Sequence, residues 1–133
     1  MTDTIVTDTF PIGVVLVLED NPIIALDIED TLQSIGAERV IMCRTCAEAF
    51  DSLSLVDVQF ALLDVHLGNE TSLDVANALR CARTPFMFVS ASSAYGEAIF
   101  GMSDVEYLPK PFTALQLKTA LSRVLSNMSV SAD

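Results

Sequence analysis

Five residues of the chain carry side chains that could act together: Glu19, Asp20, Asp64, Ser90 and Lys110. They are far apart in sequence, yet each follows a short apolar run, at residues 14–18, 59–63, 86–89 and 105–108. If folding brings them to one place, three carboxylates must share it. Two like charges about 4 Å apart repel by roughly 4 kcal/mol at an effective dielectric near 20. Three acids therefore do not stay ionised together without a cation. All-oxygen ligation with waters retained suits Mg2+. A central carboxylate beside a divalent ion, an ammonium and a hydroxyl suits phosphoryl transfer onto that carboxylate. Asp64 is then the nucleophile. Mg2+ and Lys110 neutralise charge on the transferring group, and the Ser90 hydroxyl holds one of its oxygens.

The elements that must position these residues alternate regularly. Val14-Val15-Leu16-Val17-Leu18 is an unbroken apolar run, expected of a strand buried on both faces. Asn21 is a good N-cap, and Pro22 suits a first helical position. Ile24, Ile28, Leu32 and Ile35 then mark one helix face up to Gly36. The pattern recurs with a strand at 39–43, a helix at 47–53, a strand at 59–63 and a loop at 68–70. A helix from Leu73 to about Arg83 follows, then a strand at 86–89, a weaker helix at 94–102 and a strand at 105–108. Pro109-Lys110-Pro111 is a rigid turn, and Thr113 can cap a last helix carrying Leu117, Leu121, Val124 and Leu125. Strand–helix repeated five times predicts an α/β fold with a central parallel sheet and helices on both faces. In such sheets ligands bind beyond the carboxyl ends of the strands, where the five residues fall.

Composition bounds the partners. The 133 residues suit one domain, and 51% apolar content excludes a disordered tail. Against 7 Lys+Arg stand 18 Asp+Glu, a net charge of −11. Few cations are present to neutralise phosphates, so neither nucleic acid nor an anionic membrane surface is an expected partner. The sequence contains no apolar run near the ~20 residues of a membrane helix, and residues 1–10 do not read as a signal peptide. Three cysteines are an odd count for a disulfide framework, so a reducing cytoplasm is expected.

Glu19-Asp20, Leu62-Leu63-Asp64, Val89-Ser90-Ala91 and Leu108-Pro109-Lys110-Pro111-Phe112 together resemble the response-regulator receiver family of two-component signalling, over residues 13–125. The resemblance implies a flavodoxin-like, doubly wound sheet of five parallel strands in the order 2-1-3-4-5. It makes Asp64 the acceptor of a phosphoryl group from a histidine kinase or histidine phosphotransfer protein. Glu19, Asp20 and Asp64 would hold Mg2+, with the backbone carbonyl of His66. Ser90 and Tyr107 would be the switch pair, and Lys110–Pro111 a cis peptide. The chain departs from the family pattern after Asp64: Val65-His66-Leu67-Gly68-Asn69-Glu70-Thr71-Ser72 has no proline. His66 and Ser92 fall at loop positions that tune phosphoryl lifetime in the family. Residues 1–12 and 126–133 are expected to be tails. The chain is then expected to be a stand-alone switch, a monomer or weak dimer. Its output would be a downstream partner protein or onward phosphotransfer.

Two rival readings use the same residues. A haloacid-dehalogenase-like, Mg2+-dependent phosphatase also has an aspartate nucleophile, but it needs a second aspartate where His66 stands. A flavodoxin-like carrier needs a phosphate-cradling loop after the first strand, where Glu19 and Asp20 would repel a phosphate. Cys43 and Cys46 are spaced C-x-x-C across a strand end and a helix start and read as small buried hydrophobes. The five glycines fit no nucleotide-binding motif.

Overall fold

Strands form where apolar residues on both sides of the pleat find cover. The computed structural model describes residues 12–91 and 99–131, with side chains through 126. The elements are β1 (Gly13–Leu18), α1 (Pro22–Ser34), β2 (Ala37–Cys43), α2 (Cys46–Leu55), β3 (Phe60–Asp64), α3 (Leu73–Cys81), β4 (Phe86–Ser90), β5 (Tyr107–Pro109) and α4 (Ala114–Ser131). The five strands make one parallel sheet in the order β2-β1-β3-β4-β5. This is the expected doubly wound order.

The central strands alternate between two cores. Val15, Val17, Phe60, Leu62, Met87 and Val89 point to one face, covered by Ile28 and Leu32 of α1 and by Leu117, Ala120 and Leu121 of α4. Their neighbours Leu16, Leu18, Ala61, Leu63, Phe86 and Phe88 point to the other, covered by Ala49 of α2 and by Val75, Ala76 and Leu79 of α3. Burial on both faces is why these runs are apolar throughout. It also fixes register, since a one-residue slip would exchange the two cores.

Local chemistry sets the helix ends near the site. The Asn21 side chain accepts from the Ile23 and Ile24 amides at 2.9 and 3.2 Å, capping α1. Gly36, at φ +115°, turns the chain after α1 into β2. Thr113 and Gln116 form a reciprocal cap at the start of α4, with the Gln116 amide donating to Thr113 Oγ1 at 3.1 Å and the Thr113 amide to Gln116 Oε1 at 2.8 Å.

Three expectations change. The segment 68–70 is not a plain loop: His66–Leu67 and Glu70–Thr71 pair as a short antiparallel ribbon. The last helix continues to Ser131, past the boundary expected at 125, because the sequence there has no glycine or proline to stop it. The third helix ends at Cys81, short of Arg83, which takes a left-handed φ of +60°. The helix expected at 94–102 and the position of Ser92 lie outside the described residues, apart from a 3-10 turn at Ile99–Gly101.

Candidate functional site

Each site residue is placed by the carboxyl end of a strand. The Glu19 amide donates to the Cys43 carbonyl at 2.9 Å, which extends the β1–β2 pairing by one residue and orients the acidic pair. Asp64 is the last residue of β3, in register with Val89 of β4. The Lys110 amide donates to the Ser90 carbonyl at 2.8 Å, holding the turn after β5 against the end of β4. The peptide between Lys110 and Pro111 is cis, as the resemblance implies.

These ties bring four of the expected side chains into contact range. Lys110 Nζ donates to Glu19 Oε1 at 2.7 Å and to Asp64 Oδ2 at 3.1 Å. Glu19 is 1% exposed and Asp64 6%, so the ammonium bridges two carboxylates almost out of water. The other oxygen of Glu19 accepts from the Asn21 amide at 3.1 Å. Burial pushes the Glu19 carboxyl above the ordinary glutamate range. The hydrogen bonds from Lys110 and Asn21 pull against that rise, and the charge on Asp64 adds to it.

Asp20 completes the cluster. Glu19, Asp20 and Asp64 each offer an oxygen within 4.8 Å of the others, and Asp20 is the half-buried member. One lysine cannot neutralise three acids. The donor set is all oxygen, and its Asp20 side is open to water, which fits a hard divalent cation that keeps part of its hydration shell. The acids and Lys110 line a cleft of about 600 Å³, walled by Ile24 and Asp27 of α1 and by Ala91, Pro111 and Phe112.

The remaining expected residues are not among those that line this cleft. Ser90 is buried at the end of β4. Tyr107 is half-buried at the start of β5 and packs on the other core, beside Phe88. His66 is exposed on the ribbon, two residues beyond Asp64. Sequence reading missed two neighbours of the site. One is the Asn21 amide that holds Glu19, which an N-cap signal reveals only as a helix start. The other is Asp27, on the wall of the cleft one turn along α1. Cys43 and Cys46 are buried as expected, and Cys81 is exposed.

A buried lysine between two acids at the end of a central parallel strand can stabilise charge transferred onto the carboxylate there. A family model, the response regulator receiver domain, matches residues 15–122. The chain belongs to this family. As a receiver domain it is a phosphoacceptor signalling switch. Among curated proteins it is similar to the sensory transduction protein LytR of Staphylococcus saprophyticus, 24% identical over 112 residues, covering 82% of this chain and 44% of that protein. The transcriptional regulatory protein LytR of Staphylococcus aureus is 22% identical, over 82% of this chain and 46% of that protein. The chain thus spans about half the length of the curated relatives it matches.

Among solved structures, the response regulator PhyR of Brucella abortus superposes with a TM-score of 0.81 at 25% identity, over 98% of this receiver and 54% of that chain. The receiver domain of a sensor histidine kinase from Pseudomonas aeruginosa gives a TM-score of 0.73 at 26% identity, over 85% of this chain and 97% of that one. That structure has a magnesium ion coordinated in its active site cleft. No helix among the described residues of the present receiver is long and apolar enough to cross a membrane.

Proposed function

We propose that this receiver domain takes its phosphoryl group on Asp64 and holds Mg2+ between Glu19, Asp20, Asp64 and the backbone carbonyl of His66. The observation that carries the reading is the Lys110 ammonium bridging Glu19 and Asp64 beside the uncompensated Asp20. When bound, Mg2+ supplies a Lewis acid that neutralises negative charge on the transferring phosphoryl oxygens.

An oxygen of Asp64 attacks the phosphorus of a phosphohistidine on the donor. The O–P bond forms, the N–P bond breaks, and the donor imidazole leaves and takes a proton from solvent. Lys110 is already held at the acceptor by Glu19, so its charge is in place before the transfer and needs little reorganisation. The Ser90 hydroxyl donates to a phosphoryl oxygen, drawing the end of β4 toward the cleft. Tyr107 turns further inward into the space this opens, so phosphorylation shifts the balance between two packings of β4 and β5. The receiver fold is taken as residues 13–125, with its last helix running on to Ser131.

The donor is a histidine kinase or a histidine phosphotransfer protein. The output is a change in protein–protein contact, in a cytoplasmic protein that is a monomer or weak dimer and does not use nucleic acid as its ligand. The three free cysteines and the charge of −11 support this placement.

The test is incubation with phosphoramidate and Mg2+, followed by intact mass. The wild-type chain gains one phosphoryl group, and the Asp64→Asn chain gains none. Equal gain in Asp64→Asn would move the acceptor elsewhere.

A further inference from the structure

The segment after Asp64 is tied down by a contact no local sequence signal marks. Between β3 and α3 the chain forms the ribbon in which His66 pairs with Thr71 and Leu67 with Glu70. It reverses through Gly68, at φ +66°, and Asn69. Its base is fixed to the sheet, since the Val65 amide donates to the Val89 carbonyl and the Ser72 amide to the Val65 carbonyl, both at 3.1 Å. Its outer strand is fixed sideways to the start of α2. The Cys46 amide donates to Glu70 Oε2 at 3.2 Å, and the Cys46 thiol donates to the Thr71 carbonyl at 3.3 Å.

Both ties make physical sense at that spot. Cys46 is the first residue of α2, and an amide there has no partner within its own helix. The Glu70 carboxylate satisfies it at the positive end of the helix dipole. Cys46 and Leu67 are buried in one apolar cluster, where a backbone–thiol hydrogen bond is shielded from water. Two strands of two residues each are too short to hold their own shape. Their geometry therefore depends on these outside contacts.

We propose that Glu70 and Cys46 are positioning residues for the cation site. Together they set where the ribbon, and with it the His66 carbonyl, stands relative to the three carboxylates. The inference rests on the Mg2+ site proposed above. Residues that orient metal ligands without touching the metal are typically worth about 10–100-fold in metal affinity when replaced. The ties act here through the ribbon, so the low end, roughly tenfold, is expected.

The experiment titrates Mg2+ into the folded 133-residue chain by calorimetry, at fixed ionic strength. The chains compared are wild type, Glu70→Ala, Glu70→Gln, Cys46→Ala, Cys46→Ser and Asp104→Ala. Glu70→Ala and Cys46→Ala weaken Mg2+ roughly tenfold. Glu70→Gln keeps an acceptor oxygen without the charge, and Cys46→Ser keeps a donor, so both recover most of the affinity. Glu70→Gln also separates positioning from a loss of electrostatic attraction.

Asp104→Ala breaks the exposed Arg80–Asp104 ion pair, which is not among the contacts of the ribbon, and leaves Mg2+ affinity unchanged. Wild-type affinity in Glu70→Ala and Cys46→Ala overturns this inference and leaves the cation site standing. An affinity in Glu70→Gln as weak as in Glu70→Ala also overturns it, because charge alone would then explain the loss. Failure of the wild-type chain to bind Mg2+ overturns the site and the inference together.

Discussion

Replacing Lys110 by methionine should destabilise the metal-free protein by an amount that depends on pH. The side chains have similar volume, so the change is mainly loss of the ammonium that lies 2.7 Å from Glu19 and 3.1 Å from Asp64. Both carboxylates are nearly buried, and stranding such a group typically costs about 3–5 kcal/mol. The cost has a ceiling, because a stranded carboxylate can take up a proton. For a glutamate with an ordinary value near 4.3, protonation at pH 7 costs about 3.7 kcal/mol, or roughly 1.36 kcal/mol for each of about 2.7 pH units. At pH 5 the same step costs only about 1 kcal/mol.

The sign follows from the direction of the Glu19 perturbation. Burial already raises this carboxyl in the fold, and removing Lys110 removes a hydrogen bond that lowers it. A group raised in the fold carries no penalty below its unfolded value and a growing one as the pH rises above it. The Lys110→Met deficit should therefore be about 3 kcal/mol at pH 7 and shrink to about 1 kcal/mol near pH 5. Urea unfolding of both chains at the two pH values, with chelator present, measures it. A deficit below about 1 kcal/mol at pH 7, or one that is equal at both pH values, would refute the buried three-way contact.

Other outcomes follow from the same structure. Mg2+ at a hundredfold excess over its dissociation constant should stabilise the wild-type fold by about 2.7 kcal/mol. Asp20→Asn should remove most of that gain, and a thermal melt that shifts equally in both chains would take Asp20 out of the site. Leu62→Ala, in the middle of the central strand and fully buried, should cost about 2–5 kcal/mol in a denaturation curve, and a cost below about 1 would contradict the core described here. Iodoacetamide at pH 8 should modify the exposed Cys81 and spare Cys43 and Cys46. Burial, with the nearby Glu70 charge, pushes the Cys46 thiol up to about 11, so its labelling should accelerate only as the pH approaches that value; free-thiol rates at pH 8, followed by peptide mass, would contradict this.

Much of the sheet was legible because its strands are buried on both faces. A run such as Val14 to Leu18 has no polar residue to permit another reading, and the polar residue that ends each run marks the rim where chemistry gathers. Glu19, Asp20, Asp64 and Lys110 could be named for that reason, and the structure brings them together. Elements without a period were not legible. The ribbon at 66–71 has strands too short to show alternation, and its hold on Cys46 joins residues 24 positions apart. The end of α4 was misplaced because Ser126 to Ser131 are small and mostly polar, which lowers helix propensity without stopping a helix already packed against the sheet. Tyr107 shows a further limit, since strand position alone does not say which of two cores an aromatic ring joins.

The most direct measurement is the identity of the residue that carries the phosphoryl group. After phosphoramidate treatment with Mg2+, borohydride reduces an aspartyl phosphate to homoserine, and peptide mass spectrometry locates the change. Homoserine is expected at position 64 and at no other aspartate. Homoserine at another aspartate, or a phosphoryl group on a hydroxyl or histidine that survives the reduction, would contradict Asp64 as the acceptor.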